Sequence, residues 1–400
     1  LKVSLRPQIG RQVAVDPSQF SPKSRANVRR AEGGYWAFLP PPLPPDVALS
    51  PKLIGALSEA DRAVGEVSGL GRTLPNPHML AMSLLRREAV LSSRIEGTQA
   101  SMSDLVLFEV DPATADRSGD VQEVANYVRA ANHVLDPGRR LPMSLPLLLE
   151  AHAMLLEGAR GASASPGEFR RSQNWIGAPG SSLQDATYVP PAPEELWGCL
   201  DAFEKYLHAN DELPPLLRIA AIHYQFEAIH PFLDGNGRIG RLLVVALMVE
   251  WGLLPSPLLE ISAYIEPRRD AYYDALSAVS VDGDWQGWFH YFLEAVTVQC
   301  HSTVERATKL RALRDDYRAR MATPRASALL PTLVDSLFAS PATTIAQARS
   351  LLGVTHRAAT MNVEKLVSSG ILTEVAGRGR SRLFLATEIL DTLATVPTPR

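Results

Sequence analysis

The sequence predicts a mainly α-helical protein, with a helical body broken by one β-hairpin and followed by a C-terminal winged helix-turn-helix domain. Three observations carry this reading. Apolar residues recur at helical spacing through most of residues 49–317. One Gly/Pro/Ser-rich break, 171–191, has short β-prone pieces on either side of a turn. Residues 325–395 run helix, turn, helix and then two strand-like pieces around a basic turn.

The elements follow in chain order. Residues 1–50 read as an irregular arm, and the proline-rich stretch 39–45 within it is extended because proline fixes φ and cannot sit inside a helix. Leu80, Leu84, Leu85, Ala89 and Val90 mark one helix and Val121, Val124, Tyr127 and Val128 another; further helices lie around 144–156 and 193–208. The hairpin strands fall at 174–176 and 187–189. Helices then dominate from Pro215 to about Tyr317. The composition changes after Pro324. A helix at 344–352, a turn at Gly353 and a recognition-type helix at 356–369 precede a wing with Arg378, Arg380 and Arg382. The division expected is an arm and helical region over 1–135, a central core over 136–300, a linker helix over 301–323 and the winged helix over 324–400.

Composition narrows the function classes. The chain has 400 residues, 46% hydrophobic and 21% charged, with a net charge of −3, so it is no polycation built to coat nucleic acid or acidic membrane. Its two cysteines, Cys199 and Cys300, lie far apart, which excludes a disulfide scaffold and a thiolate zinc site and fits a reducing cytoplasm. No apolar run suits a signal peptide or a membrane span. A cytoplasmic, membrane-free protein is the expectation.

The chemistry concentrates in His230-Pro-Phe-Leu-Asp-Gly-Asn-Gly-Arg-Ile-Gly-Arg241. A stripe of Leu216, Ile219, Ala220, His223 and Phe226 precedes it and an apolar helix follows, so the motif is a loop that opens the second helix. Gly235, Asn236 and Gly237 can curl their N–H groups into an anion-binding nest, and the helix N-terminus behind them adds donors and a positive dipole end. Arg238 and Arg241 sit three apart on the first turns, and the planar guanidinium suits phosphate oxygens. Asp234 offers a hard oxygen for a Mg²⁺ that also touches phosphates. His230 is placed to take a proton from an attacking hydroxyl. Together these groups point to phosphoryl or nucleotidyl transfer.

Residues 230–241 match the signature of the Fic (Fido) family at every fixed position, and the likeness extends over roughly residues 75–300. The resemblance implies transfer of AMP from ATP to a protein Ser, Thr or Tyr hydroxyl, itself included. It makes His230 the base and Asp234 the Mg²⁺ holder. The Gly235–Asn236–Gly237 loop becomes the phosphate cradle with Arg238 behind it, and Arg241 anchors the γ-phosphate. It puts the adenine against Tyr272 and Tyr273, and makes the hairpin at 173–191 the flap on which a protein target docks. Ser92-Ser-Arg-Ile-Glu-Gly97 resembles the family's inhibitory helix, in which Glu96 reaches Arg241 and competes with the γ-phosphate. Read without the family, Glu96 is an ordinary solvated helix residue and the tyrosines are a helix face in the core.

Other readings stay open. The same family transfers UMP, phosphocholine or phosphate, and the same site can remove AMP. A third class is a DNA-binding regulator with the central core as a nucleotide sensor, for which Arg357, Thr360 and Asn362 would reach base edges. Winged helices also serve as protein-docking or dimer modules, so a homodimer stands beside DNA as a partner.

Overall fold

The computed structural model describes residues 15–73, 77–114, 119–139, 141–159, 161, 163–178, 180–322, 329–375 and 382–394. Its helices in chain order are α1 (Pro22–Arg25), α2 (Pro51–Thr73), α3 (Pro77–Ile95), α4 (Met102–Val110), α5 (Asp120–Val134), α6 (Leu145–Leu156), α7 (Pro193–Leu207) and α8 (Pro215–Ile229). They continue with α9 (Asn236–Glu250), α10 (Ile261–Ile265), α11 (Arg269–Asp282), α12 (Trp285–Met321), α13 (Leu330–Ala339), α14 (Ile345–Leu352), α15 (His356–Ser368) and α16 (Thr387–Ala394). The strands are short: β1 (Val28–Arg30), β2 (Trp36–Phe38), β3 (Ala342–Thr344), β4 (Thr373–Val375) and β5 (Leu383–Leu385). None of the helices is long and apolar enough to cross a membrane among the described residues.

At the centre, α8 and α9 are buried nearly all round, and α9 carries an unbroken apolar run from Leu242 to Val249. Prolines open α6, α7 and α8 at the first turn, where a missing N–H costs nothing. Trp288 on α12 donates its indole N–H to the Ala220 carbonyl on α8 at 2.9 Å, which fixes α12 against the core. The helix α12 runs unbroken for 37 residues, so residue 300, expected as a boundary, lies in its middle.

Residues 15–50 are more regular than the sequence suggests. β1 and β2 form an antiparallel pair, with Val28 opposite Phe38, and Phe38 donates its backbone N–H to the Val189 carbonyl at 2.9 Å. Strands of three residues are too short for alternation to register, which is why they read as arm.

The expected hairpin is reduced to a single bridge between Ile176 and Tyr188. Pro190 and Pro191 have no N–H to continue the ladder. Side chains close the loop instead: the Trp175 indole donates to Ser181 O at 3.1 Å, and the Gln173 amide donates to the carbonyls of Asn174 and Pro190.

In the C-terminal unit, β3, β5 and β4 form an antiparallel sheet in that order, beside α13, α14 and α15. Thr344 caps α14 through a reciprocal box with Gln347, and Gly353 ends it in the left-handed conformation. Asn362 does not face outward as expected: it is 6% exposed and donates to the Ala358 carbonyl. Arg382 is matched by Glu374 through a two-pronged contact and by Glu364. Arg378 and Arg380 lie outside the described residues.

Candidate active site

The loop between α8 and α9 starts where Pro231 stops the helix, because a residue ahead of proline is pushed out of the right-handed region. His230 takes the left-handed conformation instead, at φ 48° and ψ 60°, which is uncommon for a residue with a Cβ. Its Nδ1 lies 3.3 Å from the Glu227 carbonyl. A carbonyl only accepts, so the proton sits on Nδ1 and Nε2 is left as the acceptor. Burial and then the Arg170 charge push the imidazole pKa down to about 4, so the ring is unprotonated at neutral pH, as a general base must be.

The loop is held by its own side chains and by α6. Asn236, 0% exposed, accepts the Phe232 N–H at 2.8 Å and donates back to the Phe232 carbonyl at 2.8 Å. Its side chain is therefore spent on the loop, and only its backbone N–H is left for the cradle expected from the N–H groups of Gly235, Asn236 and Gly237. Gly235, at φ 82°, begins α9 in a conformation that suits glycine. The first N–H groups of α9 have no carbonyl within the helix to bond. From α6, His152 accepts the Gly167 N–H on Nδ1 and donates from Nε2 to the Asp234 carbonyl, each at 3.0 Å, with its ring stacked 3.8 Å over Phe232.

The charged groups converge on this loop. Asp234 accepts the Gly235 N–H at 2.7 Å and lies 3.7 Å from the Arg238 guanidinium, with its side chain 35% exposed. Arg238 is buried and reaches Glu123 on α5 at 3.4 Å. Arg241, 1% exposed, donates from Nε to Ser92 Oγ at 2.9 Å, to the Ser92 carbonyl at 2.9 Å and to Glu96 Oε1 at 2.8 Å. A Cβ built on Gly237 would collide with that Glu96 carboxylate, so the end of α3 lays a carboxylate directly over the first turn of α9. Burial opposes the Arg241 charge, but Glu96, the neighbouring tyrosines and Glu227 outweigh it and hold the guanidinium protonated.

Of the residues expected from the sequence, Ser92, Glu96, Asp234, Gly235, Asn236, Gly237, Arg238 and Arg241 meet around the start of α9. Tyr272 does not join them as an open face. It is 1% exposed and donates its hydroxyl to His223 Nε2 at 2.8 Å, while His223 Nδ1 donates to the Gly240 carbonyl. Its ring is core, and Tyr273, half-buried 5.1 Å from it, is the tyrosine with a free side. Sequence reading gave no role to Glu227, three residues before His230 on α8, and missed His152, Glu123, Arg170 and Asn174, which reach the loop from other elements where no local spacing marks them. Glu227 packs its carboxylate against Gly240, where a Cβ would collide with it, and burial raises its pKa to about 7.

A Mg²⁺ was expected at Asp234. No three His, Cys, Asp or Glu side chains converge into a cage among the described residues. A single part-exposed carboxylate beside backbone donors still fits a Mg²⁺ whose other ligands are phosphate oxygens and water.

The site is thus a carboxylate from just past one helix seated on an arginine in the first turns of another, above a glycine loop. Residues 54–136 match the profile described as Fic/DOC family N-terminal, and residues 142–248 match Fic/DOC family. It is similar to the protein adenylyltransferase Fic of Drosophila grimshawi, 34% identical over 148 residues, which is 36% of this chain and 27% of the relative. The same protein of Culex quinquefasciatus is 33% identical over 144 residues, 36% and 25% of the two chains. The chain thus spans only about a quarter of the length of the curated relatives it matches. A Fic family protein from Desulfovibrio desulfuricans G20 shares the fold, with a TM-score of 0.55 at 19% identity over 86% of this chain and 98% of that one.

Proposed function

We propose that the protein transfers AMP from ATP to a protein hydroxyl and that Glu96 restrains this transfer. The observation that carries the reading is the Glu96 carboxylate over Gly237, an internal anion seated where a helix N-terminus and Arg241 would take a phosphate. The likeness to proteins named adenylyltransferase supports the choice of donor.

In this mechanism the first N–H groups of α9 bind the phosphates, and Arg241, released from Glu96, orients the terminal one. His230 Nε2 takes the proton of the target hydroxyl. The oxygen then bonds to the α-phosphorus while the bond from that phosphorus to the bridging oxygen breaks, and pyrophosphate leaves. A Mg²⁺ held by Asp234 would neutralise phosphate charge. Arg238, locked between Glu123 and Asp234, keeps that carboxylate in place. The flap presents the target, and its accessible edge is the one carrying Trp175, because the 187–189 side is covered by β2 through Phe38. The C-terminal unit is read as a winged helix that docks protein; Asn362 is buried and Arg382 is matched by Glu374 and Glu364, so neither is offered to DNA.

The test compares α- and γ-labelled ATP on the wild-type chain, Glu96→Gly and Glu96→Gly/His230→Ala. Label is expected only from the α position, raised at least tenfold by Glu96→Gly and lowered roughly 10²–10⁴-fold by loss of the base. Label from the γ position instead would replace this reading by kinase chemistry.

A further inference from the structure

Four consecutive carbonyls at the turn that bears the base accept hydrogen bonds from two residues outside it. Arg170 donates its backbone N–H to Pro231 O at 2.9 Å, its Nε to His230 O at 2.9 Å and its NH2 to Ile229 O at 3.4 Å. Asn174 donates its amide to His230 O at 3.2 Å and to Phe232 O at 2.7 Å. The same Arg170 guanidinium reaches Pro191 O at 2.6 Å, at the far stem of the flap, while Asn174 lies on the near stem.

Arg170 is 3% exposed, and its hydrogen bonds run to carbonyls, among them Ser172 O, rather than to a carboxylate. An arginine buried on carbonyls alone is costly as a stability device, because nothing with full opposite charge offsets its desolvation. The turn it holds is strained in a way that calls for external support. His230 is one of two non-glycine residues at positive φ among those described, and such residues persist only where the surroundings over-determine them.

We propose that Arg170, assisted by Asn174, is the positioning residue for His230: it clamps the strained turn in the conformation that engages Nδ1 and leaves Nε2 as the acceptor, and ties that turn to both stems of the flap. The proposal rests on the reading of His230 as the base. It adds that the target-bearing loop and the base move as one piece, through hydrogen bonds to main chain that any side chain at 229–232 would leave intact. The charge of Arg170 acts in the same direction, since it helps keep the imidazole neutral.

The experiment uses the full chain with Glu96→Gly as parent, with Arg170→Lys, Arg170→Ala and Asn174→Ala added singly. Two readouts are taken: the histidine ring resonances in ¹⁵N-histidine-labelled protein, and the maximal rate and half-saturating ATP of α-label incorporation. Arg170→Ala is expected to shift or broaden the His230 resonances while those of His223, buried on α8 and bonded to the Gly240 carbonyl and Tyr272, stay in place. Its maximal rate should fall about 10²-fold, the scale of a misplaced catalytic group, with half-saturating ATP within twofold of the parent. Asn174→Ala should lose about tenfold, and Arg170→Lys, which keeps a donor, should fall between. If Arg170→Ala does not fold, Asn174→Ala and Arg170→Lys decide by the same two readouts. Unmoved His230 resonances, or a rate loss that appears only as a higher half-saturating ATP, would overturn the proposal. A parent that incorporates no label would refute the transfer reading, and the histidine spectra would still decide the clamp.

Discussion

Asn236 shows how one side chain can hold a reactive loop without touching a ligand. Its amide accepts from and donates to Phe232, closing a ring across the turn that separates His230 from α9. Asn236→Ala would strand the buried Phe232 N–H, a loss of about 1–3 kcal/mol, whereas Asn236→Asp keeps the acceptor but sets an anion against the Phe232 carbonyl. Both variants should therefore lose stability in urea titration, and a neutral result for Asn236→Ala would mean that the Phe232 N–H finds another partner. Residues of this kind explain what the sequence could reveal of the site. His230, Asp234, Arg238 and Arg241 announce themselves because four polar groups within twelve residues have no common structural purpose. Arg170 and Asn174 do not, because their work is with main-chain carbonyls sixty residues away, and carbonyls leave no trace in a sequence. Tyr272 misleads in the opposite sense: an exposed aromatic and a buried one that bonds His223 are the same letter at the same spacing.

Among the elements, α3 bears the most connections. It sends Ser92 and, one residue past its end, Glu96 to α9, Glu88 to Ser262 on α10, Arg87 to Glu260, and Ser83 and Arg86 to the last carbonyls of α13. Glu260 is 0% exposed and bridges Arg87 at 3.1 Å to Arg306 of α12 at 2.6 Å. Glu260→Gln keeps the shape but removes the charge between two buried guanidinium groups, so a loss of about 3–5 kcal/mol is expected. Chemical denaturation of the variant checks this, and a loss under 1 kcal/mol would show that water or another acid compensates. Long helices such as α3, α5 and α8 were legible because ten or more residues sustain one period. The pair β1 and β2 was not, since three residues per strand carry no pattern, and the flap misread as strands because proline removes the rungs its β-prone residues would otherwise make.

On the scale of the whole molecule, buried titratable groups set a pH optimum. Burial pushes His152 and His230 to about 4 and His223 to about 3, so below 6.5 the unfolded chain takes protons that the folded one refuses, and stability falls as pH drops. Glu88 and Glu227 are pushed up to about 7, so the folded chain keeps protons that the unfolded one releases near 4.5, and their contribution is lost as pH rises toward 7. Between 4.5 and 6.5 three histidines oppose two glutamates, which leaves a gentle rise; above 6.5 only the glutamates act. Calorimetry from pH 5 to 8 should give a shallow maximum in Tm near 6.5, and Glu88→Gln should steepen the acid side. An acid side unchanged by that substitution would assign the proton balance to other groups.

The unbroken α12 has a mechanical meaning. Thirty-seven residues make a rod about 55 Å long. One end is pinned to α8 by Trp288, and the other is bolted to α13 through Arg314 and Arg318 on Asp335. A beam fixed at both ends has no joint in its span, so a twist applied to the C-terminal unit is delivered to α8, the helix that leads into His230, without a hinge to absorb it on the way.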